Sequence, residues 1–241
     1  METFAQRLAS TMERLTPSPK KQAELQTKAA RELEEQKLRF QEAITCHLRS
    51  VFGRQYVRKH KPQQTVIQES ITRHLELLYH QGIGAFYSTG KGGGKTHLLL
   101  EIFVRICTRE WESAVASFSY PNGPQFIEKT CQYHSLDKIV EVFRSKEKLR
   151  IGRYNLIDNI GAPDVPSYVL VGLENHLEEI NRQGKALVVS SLLDRHELDK
   201  ISVYRGILSH CYEQCRFYKL EEQDLRLSAE VLGDPDWRVN R

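Results

Sequence analysis

Residues 88–96 (STGKGGGKT) have the composition and spacing of a phosphate-binding loop, a glycine-rich turn that ends in lysine and threonine. Glycines allow consecutive backbone N–H groups to converge on phosphate oxygens, and a helix N-terminus behind them adds positive potential. We expect Lys95 to reach the β- and γ-phosphates of a nucleotide and Thr96 to offer its hydroxyl to Mg²⁺. Thr89 occupies the position where the strict pattern has its first glycine, and the nearest glycine is Gly90. A flexible surface loop is the alternative interpretation.

A second stretch, residues 154–161 (YNLIDNIG), reads as a short strand that ends in an acidic residue, Asp158, 63 residues after Lys95. In phosphoryl-transfer sites such an aspartate holds the Mg²⁺ ion. The glutamate that usually follows and activates the attacking water is replaced by Asn159. An amide can orient water but cannot accept its proton at neutral pH, so we expect nucleotide binding with weak hydrolysis. The alternative is that Asp158 only caps a strand end.

Alternating strand and helix patterns surround these two motifs and predict an α/β fold, a parallel sheet covered by helices on both faces. The phosphate site of such a sheet lies at the carboxyl ends of its strands. The apolar segments before and after the glycine-rich turn favour this reading over a surface loop. We predict strands at residues 83–87, 114–118, 154–161, 186–191 and 216–220, and helices at 66–78, 97–110, 126–131, 136–143, 167–181 and 198–215.

The N-terminal part predicts a helical, basic extension, residues 1–65, which carries 13 Lys/Arg and 7 Asp/Glu. A short amphipathic helix is expected near residues 4–15, and a long, mostly solvated helix over about 21–50. A thin apolar stripe suits docking on a partner, although a helix without a partner is also compatible. Residues 49–61 combine basic and aromatic side chains, which fits either nucleic-acid contact or a basic linker.

Composition bounds the remaining possibilities. The 241-residue chain is 40% hydrophobic, which is enough for a core, and its sequence has no apolar run of the length that spans a bilayer. The N-terminal residues lack the apolar core of a signal peptide, so we predict a cytoplasmic protein without membrane contact. The five cysteines are odd in number and lack zinc-site spacing, which favours reduced, buried thiols. The predicted domains are residues 1–65, a nucleotide-binding domain at 66–226, and a polar tail at 227–241.

These motifs, in this order, resemble the DnaC family of replicative helicase loaders, a branch of the AAA+ ATPases close to the initiator DnaA. The resemblance lies in residues 86–98 (FYSTGKGGGKTHL), where His-Leu follows Lys-Thr, and in residues 156–161 (LIDNIG), similar to an "IDEIG"-type strand. It implies an AAA+ P-loop three-layer domain with a helical N-terminal extension that uses ATP/ADP and Mg²⁺. It also implies a polar sensor at Ser190-Ser191, with Ser191 at the site, and an arginine at Arg205 that acts on the nucleotide of a neighbouring subunit.

The resemblance also implies the residues of the site. The nucleotide-binding residues would be Gly90, Lys91, Gly92, Gly93, Gly94, Lys95, Thr96 and His97. Thr96 and Asp158 would bind the metal, and the catalytic residues would be Lys95, Asp158, Asn159, Ser191 and Arg205.

The resemblance implies an ATPase that loads a hexameric, DnaB-type replicative helicase onto single-stranded DNA. The N-terminal helices would bind the helicase, and ATP would act as the switch for assembly into a helical oligomer. Two alternatives remain open: a DNA-targeting ATPase that serves a transposase, similar to the IstB family, and a nucleotide-bound regulator of a DnaA-type initiator.

Overall fold

A computed structural model describes residues 19–52, 74–88, 94–117, 123–162 and 164–219. The described residues divide into two compact units, those up to residue 43 and those from residue 44 onward. The predicted helix at 4–15, residues 53–61 of the basic stretch, and the predicted domain boundaries at 65/66 and 226/227 all lie outside the described residues.

The first helix, α1 (Pro19–Val51), confirms the long helix predicted over about 21–50. Proline is tolerated at its first position because the N–H that proline lacks would have no intrahelical partner there. Along residues 19–43 the helix is mostly exposed, including Leu25 (51%) and Leu33 (43%), as expected for a sparse apolar stripe.

The described residues of the second unit contain a five-stranded parallel sheet in the order β2-β3-β4-β1-β5, flanked by helices. This arrangement confirms the predicted fold class, an α/β domain with a parallel sheet, preceded by a helix. Residues 74–81 are also helical. The elements are β1 (Gly84–Ser88), α2 (Lys95–Ala116), α3 (Gly123–Thr130), β2 (Cys131–Ser135), α4 (Leu136–Arg144), β3 (Tyr154–Ile160), α5 (Ser167–Arg182), β4 (Ala186–Ser191), α6 (Arg195–Lys200), a 3₁₀ turn (Ser202–Tyr204), α7 (Arg205–Gln214) and β5 (Cys215–Lys219).

Three details of the prediction were wrong. Residues 114–116 continue α2, because nothing between Glu110 and Ala114 ends the helix, and a short apolar run cannot by itself distinguish strand from helix. Strand β2 was missed because it follows α3 without a turn. The single helix predicted over 198–215 is interrupted at Ile201, whose backbone is extended (φ −96°, ψ 103°), so it becomes α6, the 3₁₀ turn and α7.

The core lies on both faces of the sheet because alternate strand residues point to opposite sides. Phe86, Ile157 and Val189 pack in one cluster with the buried sides of α5 and α7. On the opposite face α2 packs on β2, β3 and β4 and is apolar along its buried side. Strand β1, at an interior position of the sheet, is buried at every residue. The parallel strands therefore end at one edge, which is where the sequence motifs meet.

Candidate nucleotide-binding site

The N-terminus of α2 has the conformation expected behind a phosphate loop. Gly94 precedes the helix with φ 75°, a left-handed conformation that glycine adopts without strain. Among the described residues no side chain caps the start of the helix, and its first turn has no acidic residue, so the helix dipole places positive potential at this end. Lys95 is the first helical residue and is buried (6% exposed). This end of α2 is suited to an anion.

Predicted loop residues Gly90, Lys91, Gly92 and Gly93 lie outside the described residues, so their role in nucleotide binding stays a prediction. His97 lies in the first turn of α2, two residues after Lys95.

Asp158 lies at the centre of the site and is almost fully buried (2% exposed). Thr96 Oγ1 donates a hydrogen bond to its Oδ2 at 2.8 Å, which joins the start of α2 to the end of β3. Tyr133 in β2 donates its hydroxyl to the same Oδ2, also at 2.8 Å. Ser190 in β4 donates to Oδ1. A carboxylate that accepts three hydroxyl donors from three elements is held in one orientation.

A β-bulge sets the direction of Asp158. Ile157 pairs with Val189 and Ile160 with Ser191, so two residues of β3, Asp158 and Asn159, face one residue of β4. Asn159 adopts φ 75°, a left-handed conformation that asparagine tolerates better than most residues.

At the bulge the Asn159 backbone N–H donates to a side chain. Ser190 Oγ accepts this N–H at 3.1 Å, and the same hydroxyl donates its hydrogen to Asp158. The buried Ser190 hydroxyl therefore forms hydrogen bonds with both residues of the bulge, the Asn159 N–H and the Asp158 carboxylate.

The residues at this edge fit a Mg²⁺ ion. The Thr96 hydroxyl and the Asp158 carboxylate are oxygen ligands of the kind that Mg²⁺ prefers, and they are already adjacent. Within the described residues no group of three or more His, Cys, Asp or Glu side chains forms a metal site. Mg²⁺ usually completes its shell with water and substrate phosphates, so two protein ligands are sufficient.

The two serines at the end of β4 have different surroundings. Ser190 contacts Asp158, as described above. The Ser191 hydroxyl lies within hydrogen-bond distance of the carbonyl oxygens of Ile160 (2.9 Å) and Leu193 (2.7 Å), which compete for its single hydrogen, and it accepts the Leu193 N–H (3.1 Å). The predicted role of Ser191 stays a prediction, whereas the geometry places Ser190 against the Asp158 carboxylate.

Arg205 is the first residue of α7 and is exposed. Its Nε donates to the carbonyl oxygen of Asp199 in α6 at 3.2 Å. In the described part of the chain it is not among the residues that contact Asp158. An exposed arginine is compatible with action on a neighbouring subunit, and this role remains untested.

The sequence analysis did not single out Tyr133, and it named Ser190 only as part of the pair Ser190-Ser191, with Ser191 as the site residue. Tyr133 was missed together with β2. The signal that identifies Ser190 is a polar side chain near the carboxyl end of a sheet strand, beside one already assigned to the site.

A buried histidine adjoins the strand that leads into the glycine-rich turn. His74 Nδ1 lies 2.7 Å from the Tyr87 hydroxyl. Burial, assisted by the charge of Arg216, lowers the pKa of His74 to about 4. The ring is therefore neutral at neutral pH, and its hydrogen bond with the Tyr87 hydroxyl fixes the end of β1 against the helical residues 74–81.

Comparison with known proteins gives similarities of structure only. No protein-family profile and no curated protein sequence matches the chain. A crystal structure of the DnaC helicase loader is 10% identical with a TM-score of 0.48, and the match covers 67% of this chain and 94% of that one. Domain III of the replication initiation protein DnaA from Thermotoga maritima is 20% identical with a TM-score of 0.46 (70% and 71% covered). DnaI is 12% identical with a TM-score of 0.38 (67% and 88% covered).

At such identities and TM-scores these similarities say nothing of the activity, for which the residues of the site are the basis. No helix in the described part of the chain is long and apolar enough to cross a membrane.

Proposed function

We propose that the chain binds ATP and Mg²⁺ at the edge formed by α2, β3 and β4. The contact between Thr96 and Asp158 carries the proposal, because it joins a hydroxyl and a carboxylate beside a helix N-terminus with a buried lysine. Phosphates would occupy the end of α2, with Lys95 as their charged partner. Mg²⁺, held by Thr96 and Asp158, would neutralise phosphate charge.

Lys95→Ala tests the binding proposal directly. Loss of a charged phosphate contact should weaken ATP affinity by about 10- to 100-fold, measured by titration with a fluorescent ATP analogue. Lys200→Ala is the matched control, since Lys200 is an exposed lysine at the end of α6. Equal affinity in wild type and Lys95→Ala would remove the basis of the proposal.

Hydrolysis should be slow because Asn159 cannot act as a general base. Asn159 directly follows Asp158 in the sequence, and an amide can orient a water molecule without taking its proton, which suits a nucleotide that acts as a conformational switch. We expect Asn159→Glu to hydrolyse ATP faster, measured as phosphate release per bound nucleotide. An unchanged rate would show that the missing carboxylate does not limit turnover.

At the level of biological function, we propose a helicase loader of the DnaC type. The mostly exposed α1 supplies a surface for the helicase, and Arg205 would contact the nucleotide of the next subunit in a helical oligomer on single-stranded DNA. The support is the fold, the site and the sequence motifs together, and fold alone would not suffice.

Mass photometry of the full chain with the replicative helicase of its source organism tests this function, with ATP, with ADP and without nucleotide. We expect a discrete complex of one helicase hexamer with several copies of the chain. No complex under any condition would overturn the loader proposal. DNA-bound filaments would then favour the transposase-associated ATPase, and ADP-dependent binding to an initiator would favour the regulator.

A further inference from the structure

The hydroxyl of Tyr133 and the ring of Phe52 connect the end of α1 to the metal-binding carboxylate. Tyr133 donates to Asp158 Oδ2, the oxygen that also accepts Thr96. The rings of Tyr133 and Phe52 are in contact, with centroids 3.9 Å apart at 35°. Phe52 follows the last residue of α1 and is buried (5% exposed).

Phe52 also contacts the helix that carries Lys95 and Thr96. Its ring packs edge-on against Phe103 of α2, with centroids 6.1 Å apart at 76°. His47, one turn earlier in α1, stacks on the other ring of this pair, Phe103, at 5.4 Å and 10°. Ile44 and Leu48 are buried on the same side of α1. The last two turns of α1 are therefore fixed against α2 and β2, the two elements whose hydroxyls meet on Asp158 Oδ2.

We propose that Tyr133 is a positioning residue for Mg²⁺ binding at Asp158, and that Phe52 sets the position of Tyr133. Groups that donate hydrogen bonds to a metal-binding carboxylate orient it, and their removal typically weakens metal affinity by about 10- to 100-fold. Because coupling between sites is reciprocal, Mg²⁺·ATP binding in turn stabilises the packing of residues 44–52. This inference rests on the proposed nucleotide site and adds regulation of that site by the end of α1.

The first test is Tyr133→Phe, which removes the hydroxyl and keeps the ring. Tyr154→Phe is the matched control, because the Tyr154 hydroxyl donates to a carboxylate oxygen of Glu110 at 2.8 Å from the opposite end of β3. ATP affinity is measured in Mg²⁺ and in EDTA. We expect Tyr133→Phe to lose about tenfold affinity in Mg²⁺ and none in EDTA, and Tyr154→Phe to match wild type in both.

Equal behaviour of the two tyrosine variants, or an equal loss in Mg²⁺ and EDTA, would overturn the positioning role. A wild-type protein that binds no nucleotide would instead overturn the proposed function, and this inference with it. Lys95→Ala separates the two cases because it should lose affinity in EDTA as well.

The second test concerns Phe52. Phe52→Leu keeps an apolar side chain but loses the aromatic contact with Tyr133. The single variant should bind ATP more weakly in Mg²⁺ than wild type does, and adding it to Tyr133→Phe should cause no further loss of affinity. Hydrogen exchange of residues 44–52 should slow when Mg²⁺·ATP binds, and this protection should diminish in Tyr133→Phe. Additive losses in the double variant, or unchanged exchange in wild type, would overturn the role of Phe52.

Discussion

Removal of the Ser190 hydroxyl tests whether one side chain supports both the bulge and the carboxylate. Ser190 is fully buried, donates to Asp158 Oδ1 and accepts the Asn159 N–H at 3.1 Å. In Ser190→Ala, losing a hydrogen bond to a carboxylate costs about 1.5–3 kcal/mol, and the orphaned N–H adds about 1–3 kcal/mol. Because neighbouring groups relax in part, we expect Ser190→Ala to lower the free energy of unfolding by about 3 kcal/mol in total.

The free energy of unfolding is measured by urea denaturation monitored by circular dichroism, without nucleotide or metal. For a domain of this size the same loss lowers the thermal midpoint by about 6–12 °C. Ser88→Ala is the control: Ser88 is also buried at a strand end, but it makes one long hydrogen bond, to the Tyr218 carbonyl at 3.4 Å. We expect the control to lose less than about 1 kcal/mol. Equal losses in the two variants would refute the reasoning.

Three further predictions concern the same domain. Gly84→Ala should destabilise the protein by about 3 kcal/mol in urea denaturation, because a Cβ there would lie 1.9 Å from the Leu187 carbonyl oxygen in the neighbouring strand. Asn159→Ala should lower the free energy of unfolding by about 1 kcal/mol, because alanine is strained at the φ of 75° that residue 159 adopts. Asn159→Gly should lower it very little, because glycine adopts this φ without strain, and equal losses in the two variants would contradict this argument. Burial, with the neighbouring His134, lowers the pKa of His176 to about 4, so the folded state binds protons less readily than the unfolded chain and stability falls as pH drops from about 6.5 towards 4. His176→Phe should remove up to about 3 kcal/mol of this acid-induced fall in stability, which thermal melts across the same pH range would detect. A variant whose stability depends on pH as the wild type's does would contradict the role of His176.

The relation between sequence and structure is clearest at β3 and α2. The apolar strand that ends in Asp158 and the Lys-Thr pair after the glycines predict that the two motifs meet, because parallel strands present their carboxyl ends at one edge. The structure places Thr96 and Asp158 2.8 Å apart. The strand Ala186–Ser191 and the helix that begins at Ser167 were also predicted at those residues.

What the sequence could not provide was the direction of individual side chains. Ser190 and Ser191 are adjacent and alike, and strand register together with the bulge decides which one faces Asp158. Tyr133 lies in a five-residue strand with little apolar alternation, directly after a helix, so the pattern gave no boundary. The contact of Phe52 with Tyr133 depends on tertiary packing between residues about 80 positions apart.

The strand order also affects how the protein folds during synthesis. Strand β1, which leads into the glycine-rich turn, pairs with β4 on one side and β5 on the other, and both follow it by roughly 100 residues or more. While the ribosome is still translating β2 and β3, β1 has neither neighbour, and its buried residues are exposed. A nascent chain halted before Ala186 would carry the motif for phosphate binding without the sheet that supports it. Nucleotide therefore cannot assist the early steps of folding, and the last quarter of the chain completes the frame of a site whose residues were made first.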